Sequence, residues 1–302
     1  MLLQYFYIMF VPHDGIYSVK CTGPSCSKTP PPHDAATPVL HSWDGVLRFP
    51  PFSSKCNNVN AKLKELYPES EELFKVILIS DNSSDSLSGA IRKHGESLIH
   101  PNNTAGTFTQ GSKDLVILAH LYLSAEPGLK VQEALNQGIA AAIMKSPDDI
   151  KTPAENQLRV AFDGDAVLFS NESERVFQSG KLQGYLEHEK KKVEDPMNPL
   201  LEVLERLKTK LQDKGLYRDC PIRTYLVTSR GAGCDGYRAL NTLRMWGLEM
   251  DEAVFVGGSN KGPTLEKIRP HIFFDDQQRH IEVALEVGTV ACHVPTSSQY
   301  PA

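Results

Sequence analysis

The residues of this chain with the most chemical promise stand where apolar runs end in carboxylates. The run LRVAF (158–162) leads straight into Asp163, Gly164, Asp165, Ala166 and Val167. On an extended chain, residues i and i+2 share a face. Two carboxylates so placed can divide two jobs: one attacks or binds metal, and the other moves a proton. Gly164 lets the backbone bend closely around a ligand. The plain structural reading of D-G is a turn, and the apolar residues on both sides weigh against it. A second run, HIFF (271–274), ends in Asp275 and Asp276. Paired hard oxygen ligands beside a phosphate site point to Mg²⁺, with a helix N-terminal cap as the ordinary alternative. Between these lies RTYLVTSR, which brings Thr228, Ser229 and Arg230 to a strand-to-helix turn. A hydroxyl and free backbone amides there suit a phosphate oxygen, although Ser and Thr often end strands simply as helix caps. Lys261, in GGSNKGP, can bring a point charge to a phosphoryl group. Lys267 is a second candidate, and either lysine alone reads as solvated.

These residues need a frame, and the pattern around them supplies one. From residue 57 onward, short β-branched runs alternate with helical spacing. Strands are expected at 74–80, 115–123, 139–144, 158–169, 223–229, 253–258, 271–276 and 289–294. Helices are expected at 59–67, 129–138, 172–192, 197–214, 235–246, 263–268 and 278–287. This order predicts an α/β fold with a mainly parallel sheet. In such sheets ligands sit beyond the carboxyl ends of the strands, where the four chemical pieces fall.

The chain also repeats itself. Residues 121–144 align with 272–295: Leu121–Ala125 lie over Ile272–Asp276, Ala134-Leu135 over Ala284-Leu285, and Gly138 over Gly288. Ser80, ending FKVILIS, likewise precedes Thr228 by 148 residues. Residues 57–150 therefore read as a worn copy of the second half. The copy has Ser124 and Ala125 in place of the two acids, so it keeps a fold and lacks the chemistry.

The opening run MLLQYFYIMFV is uncharged but about half the ~20 apolar residues that a spanning helix needs, and no basic residues precede it as in a secretory leader. It reads as an edge strand or an irregular tail. The stretch 12–55 carries Pro24, Pro30, Pro31, Pro32, Pro38, Pro50 and Pro51 and reads as linker or disorder. The chain has 302 residues, 32 Lys and Arg against 37 Asp and Glu, and a formal net charge of −5. That balance argues against a nucleic-acid binder working through a broad basic face. At 40% hydrophobic and 23% charged residues, the composition excludes wholesale disorder. Six cysteines (Cys21, Cys26, Cys56, Cys220, Cys234, Cys292) are scattered without a C-x-x-C pair, as in thiols kept reduced.

The order of the pieces is more telling than any one of them: D-x-D after a strand, a strand ending in Thr, a lysine, then a strand ending in D-D. In this the chain resembles the haloacid-dehalogenase-like phosphohydrolase superfamily. AFDGDAVLFS, CPIRTYLVTSR, LRMWGLEMDEAVFVGG and KGPTLEKIRPHIFFDDQ look like the cytosolic 5′-nucleotidase I family, as do ELYPESEELFKVILISDN and LYLSAEPGLKVQEALNQGIAAAI. The resemblance covers residues 57–295. Residues 1–55 do not look like that family's amino-terminal part, where an extra strand-forming segment belongs, and 83–114 fit poorly. It implies a Rossmann-like haloacid-dehalogenase-type parallel sheet at 157–302 with a small helical cap at about 170–220, preceded by a degenerate α/β half at 56–156. It implies hydrolysis of nucleoside 5′-monophosphates, AMP preferred, with Mg²⁺. Asp163 is the expected nucleophile and Asp165 the acid/base. The metal falls to Asp163, to Asp165 through its carbonyl, and to the pair Asp275/Asp276, with Asp276 favoured. Thr228 and Lys261 hold phosphate oxygens. Phe169, Ser229 and Arg230 are candidate substrate contacts, with Tyr185, His188 and Glu189 as cap candidates. Such a protein is cytoplasmic, and ADP is a candidate activator. No nucleic-acid or membrane partner is expected, and a homo-oligomer stays open. Competing readings are a phosphatase for another small phosphomonoester and a non-catalytic nucleotide-binding protein.

Overall fold

A computed structural model describes residues 6–11, 50–66, 68, 74–78, 121–125, 127–136, 139–151, 157–169, 220–248 and 250–295. Nine strands and five helices are found among them: β1 (Phe6–Val11), α1 (Pro50–Leu66), β2 (Phe74–Leu78), β3 (Leu121–Ser124), α2 (Leu129–Asn136), β4 (Ala140–Lys145), β5 (Leu158–Phe162), β6 (Ile222–Thr228), α3 (Cys234–Met245), β7 (Glu252–Phe255), α4 (Gly262–Ile268), β8 (Ile272–Asp275), α5 (Gln278–Glu286) and β9 (Ala291–His293). The alternation expected from the sequence is this order. The expected helices at 172–192 and 197–214, and with them nearly all of the cap, lie outside the described residues, as does the Pro-rich stretch 12–49.

All nine strands join one sheet in the order β2-β1-β3-β4-β9-β8-β5-β6-β7. Every neighbouring pair is parallel except β4–β9, where Ile143 pairs with His293, Met144 with Cys292 and Lys145 with Ala291. That seam divides the sheet into two like halves. Read outward from it, the first half runs β4-β3-β1-β2 and the second β9-β8-β5-β6, with β7 added at the far edge. The arrangement agrees with the internal repeat: 121–144 and 272–295 are both strand, helix and strand, and β2 matches β6. The residues 150 apart, Ile143 and His293, face each other on the seam.

The opening run corrects an expectation. Phe6–Val11 is neither an edge strand nor an irregular tail. It pairs with β2 on one side and β3 on the other, in the place that β5 takes in the second half. A continuous apolar run is typical of a strand in a parallel sheet, where both faces are covered. The first helix also begins at Pro50, before the expected 57–59. Prolines are tolerated in a helix's first turn, where the missing N–H has no partner to lose.

Both faces of the second half are covered. Side chains of β5 alternate: Val160 and Phe162 pack with Leu226, Ile272 and Phe274 and with Phe52, Cys56, Val59 and Leu63 of α1. Ala161 packs with Tyr225, Val227 and Phe273 and with Leu265, Ile268, Ile281 and Ala284 of α4 and α5. Phe162 and Phe274 stack with ring centroids 5.4 Å apart. This core holds β5, β6 and β8 in a fixed register, and their carboxyl ends carry the candidate chemistry.

Candidate active site

Register alone brings three of the four pieces together. Phe162 pairs with Phe274 on one side and Leu226 on the other. The next residues along these parallel strands are Asp163 and Asp275, with Thr228 two residues beyond Leu226. The Asp163 amide donates to the Phe274 carbonyl at 2.8 Å, which ties the start of the turn to β8. Asp163, Thr228 and Asp275 are all buried.

The fourth piece closes the cluster. Lys261, at the start of α4, is fully buried. Its Nζ lies 2.7 Å from Asp163 Oδ1 and 2.7 Å from Asp275 Oδ2. Lys267 lies on α4 and is exposed, so of the two lysines it is Lys261 that meets Asp163 and Asp275. Burial works to lower the Lys261 pKa, and the charges of Asp163 and Asp275 outweigh it and hold the ammonium above its ordinary value. Asp275 also receives the Gln277 amide at 2.8 Å and His280 Nδ1 at 3.0 Å. Burial works to raise its carboxyl, and the His280 hydrogen bond and the Lys261 charge hold it below the carboxylate range. Asp163 goes the other way. Burial lifts it well above the carboxylate range; Lys261 opposes this, and Asp275 and Asp165 add to it.

Beyond Asp163 the chain turns tightly. The amides of Leu168 and Phe169 both donate to the Gly164 carbonyl, at 2.9 and 3.0 Å, and Ala166 takes the left-handed conformation, φ 62°. A Cβ on Gly164 would stand 3.2 Å from Thr228 Oγ1 and 3.3 Å from the Phe169 ring. The glycine is what lets this turn press against the end of β6. Asp165 emerges from the turn into a bidentate pair with Arg230: Nε donates to Oδ2 at 3.0 Å and Nη2 to Oδ1 at 2.7 Å. Arg230 Nη1 donates to the Asp235 carbonyl at 3.1 Å, and its backbone amide to Thr228 Oγ1 at 3.2 Å.

Two expectations change here. Phe169 was a candidate stacking face for a nucleoside. Its ring is fully buried, with the Arg230 guanidinium 5.2 Å from its centroid and Trp246 5.8 Å away. It packs the arginine rather than offering an open face. Asp276 was the favoured metal ligand of its pair. Among the described residues, it is Asp163, Asp275 and His280 whose ligand atoms lie within 4.8 Å of one another. Asp276 is buried beside them, and its carbonyl accepts a 2.9 Å bond from His293 Nε2. Ser229 is half-buried, and its carbonyl accepts from the Gly258 amide. Tyr185, His188 and Glu189 lie outside the described residues.

Sequence reasoning missed two residues. His280, on the first turn of α5, faces the Asp275 carboxylate, five residues after it. Asp235, on the first turn of α3, takes the Gly231 amide on Oδ2 at 2.6 Å, so it shapes the turn after β6. An acid in the first helical turn was the available signal; for His280 the signal was its helical spacing from the D-D pair.

The donor chemistry fits a divalent cation. Once Asp163 gives up its proton, it and Asp275 place two negative charges against the single positive charge of Lys261. The excess negative charge and the two carboxylates suit a hard, oxygen-preferring ion. His280 already spends Nδ1 on Asp275 and reads as the group that orients that carboxylate.

The 5′-nucleotidase family profile matches residues 49–300. Human cytosolic 5′-nucleotidase 1B is 42% identical over 250 residues, covering 78% of this chain and 40% of the relative. The chain thus spans less than half the length of that relative. A solved structure of a HAD-like family hydrolase from Porphyromonas gingivalis matches at 17% identity with a TM-score of 0.24, covering 49% of this chain and 96% of that one. With the profile running over most of its length, the chain belongs to the 5′-nucleotidase family.

Proposed function

We propose that the chain hydrolyses nucleoside 5′-monophosphates, with AMP preferred, to nucleoside and phosphate through an aspartyl-phosphate intermediate. One observation carries this reading: Asp163, Lys261 and Asp275 meet within hydrogen-bond distance at the ends of β5 and β8. Family membership and the printed name of the human relative support the substrate class.

Asp163 attacks phosphorus in line. Its carboxylate forms the new P–O bond as the bond from phosphorus to O5′ breaks. Asp165 gives a proton to the departing O5′, then takes one from the water that attacks the acyl phosphate; phosphate leaves and Asp163 is regenerated. Lys261 and Thr228 bind non-bridging oxygens, and Lys261 offsets charge on the transferring group, where most of the catalysis in phosphoryl transfer arises. Mg²⁺ would be held by Asp163 and Asp275, with the Asp165 carbonyl, and would supply further charge stabilisation to the phosphoryl oxygens. Asp163 must be ionised to attack, and burial disfavours that form. Lys261 is the group of this chain that opposes the penalty.

A cytoplasmic setting and activation by ADP belong to the same proposal. Among the described residues no helix is long and apolar enough to cross a membrane. The test is phosphate release from AMP with Mg²⁺ and with EDTA, beside IMP, dCMP and p-nitrophenyl phosphate. AMP turnover that needs the cation and exceeds that of the other nucleotides bears the reading out. Folded protein that releases phosphate from none of them overturns it.

A further inference from the structure

Asp165 has a partner that the proposed reaction does not use. Both oxygens of its carboxylate are taken by the Arg230 fork. The Arg230 side chain is 1% exposed, and that of Asp165 is 20% exposed. The arginine is itself fixed from three further sides. Nη1 holds the Asp235 carbonyl, the backbone amide holds Thr228 Oγ1, and the guanidinium lies over the Phe169 ring, which in turn packs on Trp246. A fork anchored in this way has little freedom to leave toward a ligand.

We propose that Arg230 is a positioning residue, which sets the orientation of the Asp165 carboxyl for proton exchange with the leaving-group oxygen. The inference rests on the nucleotidase reading and deepens it. Asp165 sits in a tight turn just before the left-handed Ala166, a place where the side chain has rotamers to choose from. A monodentate partner would fix one oxygen and leave the plane free. Two parallel N–H donors fix both the plane and the direction. The proton transfer at stake breaks the Asp165 O–H bond and forms the O5′–H bond as phosphorus leaves O5′. It succeeds only within hydrogen-bond reach of that oxygen. The wall formed by Phe169 and Asp235 thus serves the acid/base residue from behind, and the fork is not spent on substrate. This revises the expectation of Arg230 as a substrate contact.

The role predicts a dependence on leaving group that a merely structural arginine would not show. A nucleoside alcohol is a poor leaving group and needs the proton; p-nitrophenolate leaves without it. In Arg230→Lys the charge is kept and the fork is lost. AMP turnover should fall by about 100-fold, the lower end of what a positioned acid contributes, with KM little changed and p-nitrophenyl phosphate turnover largely retained. Phe169→Leu loosens the arginine without touching Asp165 and provides a second variant should the first misfold. It should shift the ratio of the two rates in the same direction, by less. Equal losses on both esters in a folded variant, or a rise in KM for AMP at constant kcat, overturns the positioning role and leaves the nucleotidase reading standing. A wild-type chain inert toward both esters overturns that reading, and the proposal with it.

Discussion

Lys261 Nζ stands 2.7 Å from Asp163 Oδ1, both groups sealed from solvent, with Asp275 equally close on the other side. One ammonium thus serves two buried carboxyl groups. Lys261→Met should destabilise the metal-free fold by about 3–5 kcal/mol, the usual cost of leaving a buried charge without its partner. Most of that cost belongs to the stranded carboxylates. Adding Asp275→Asn to Lys261→Met should therefore cost less than the sum of the two single changes. Urea denaturation of the four proteins measures the cycle, and strict additivity would show that Lys261 and Asp275 do not act as a unit.

The raised Asp163 carboxyl sets a pH dependence for metal binding. The folded protein keeps a proton on Asp163 that the unfolded chain releases at the ordinary carboxylate value. In EDTA, the contribution of this group to stability falls as pH rises from that value toward the folded one. A divalent cation competes with the proton, and so gains as the proton leaves. The rise in Tm on adding Mg²⁺ should be larger near about pH 8 than near about pH 5. Thermal melts with and without the ion at both pH values check this, and an equal rise at both counts against it.

His271 predicts the opposite slope at the other end of the sheet. Its Nδ1 accepts from the Arg159 amide at 3.0 Å, a bond that protonation of Nδ1 destroys. Burial, then the charges of Lys55 and Arg159, push its pKa down from 6.5 to about 4. The unfolded chain therefore binds a proton that the folded chain refuses in this window. Stability from this group is full above 6.5 and declines as pH falls toward 4, by roughly 3 kcal/mol at most. In His271→Asn an amide oxygen can accept the same bond without titrating. The acid-side slope in denaturant melts should flatten over that window, and an unchanged slope would remove His271 as its source.

Much of this site could be read from the chain itself, because each piece is local. An apolar run that stops at a carboxylate announces a strand end, and strand ends of a parallel sheet share one side of the molecule. Asp163, Thr228 and Asp275 were legible on those grounds. Lys261 could be separated from Lys267 only by burial, which depends on what packs over α4. The choice between Asp275 and Asp276 depends on the last pairing of β8, since adjacent residues of a strand point to opposite faces. The Asp165–Arg230 pair joins residues 65 apart in the chain and leaves no mark in either segment. The inner position of strand β1, read as an edge strand or an irregular tail, was not legible for a related reason. Its partners begin at Phe74 and Leu121, far beyond the Pro-rich stretch that follows it, so a run that looked terminal proved to be flanked on both sides.

The most direct test is to trap the covalent intermediate. The protein is mixed with AMP and Mg²⁺, quenched, and treated with borohydride, which reduces an aspartyl phosphate to homoserine; the peptide spanning residue 163 is then read by mass spectrometry. The account predicts homoserine at position 163 only when AMP is present, and neither homoserine nor phosphate release in Asp163→Asn. Phosphate release at the wild-type rate by folded Asp163→Asn would contradict it.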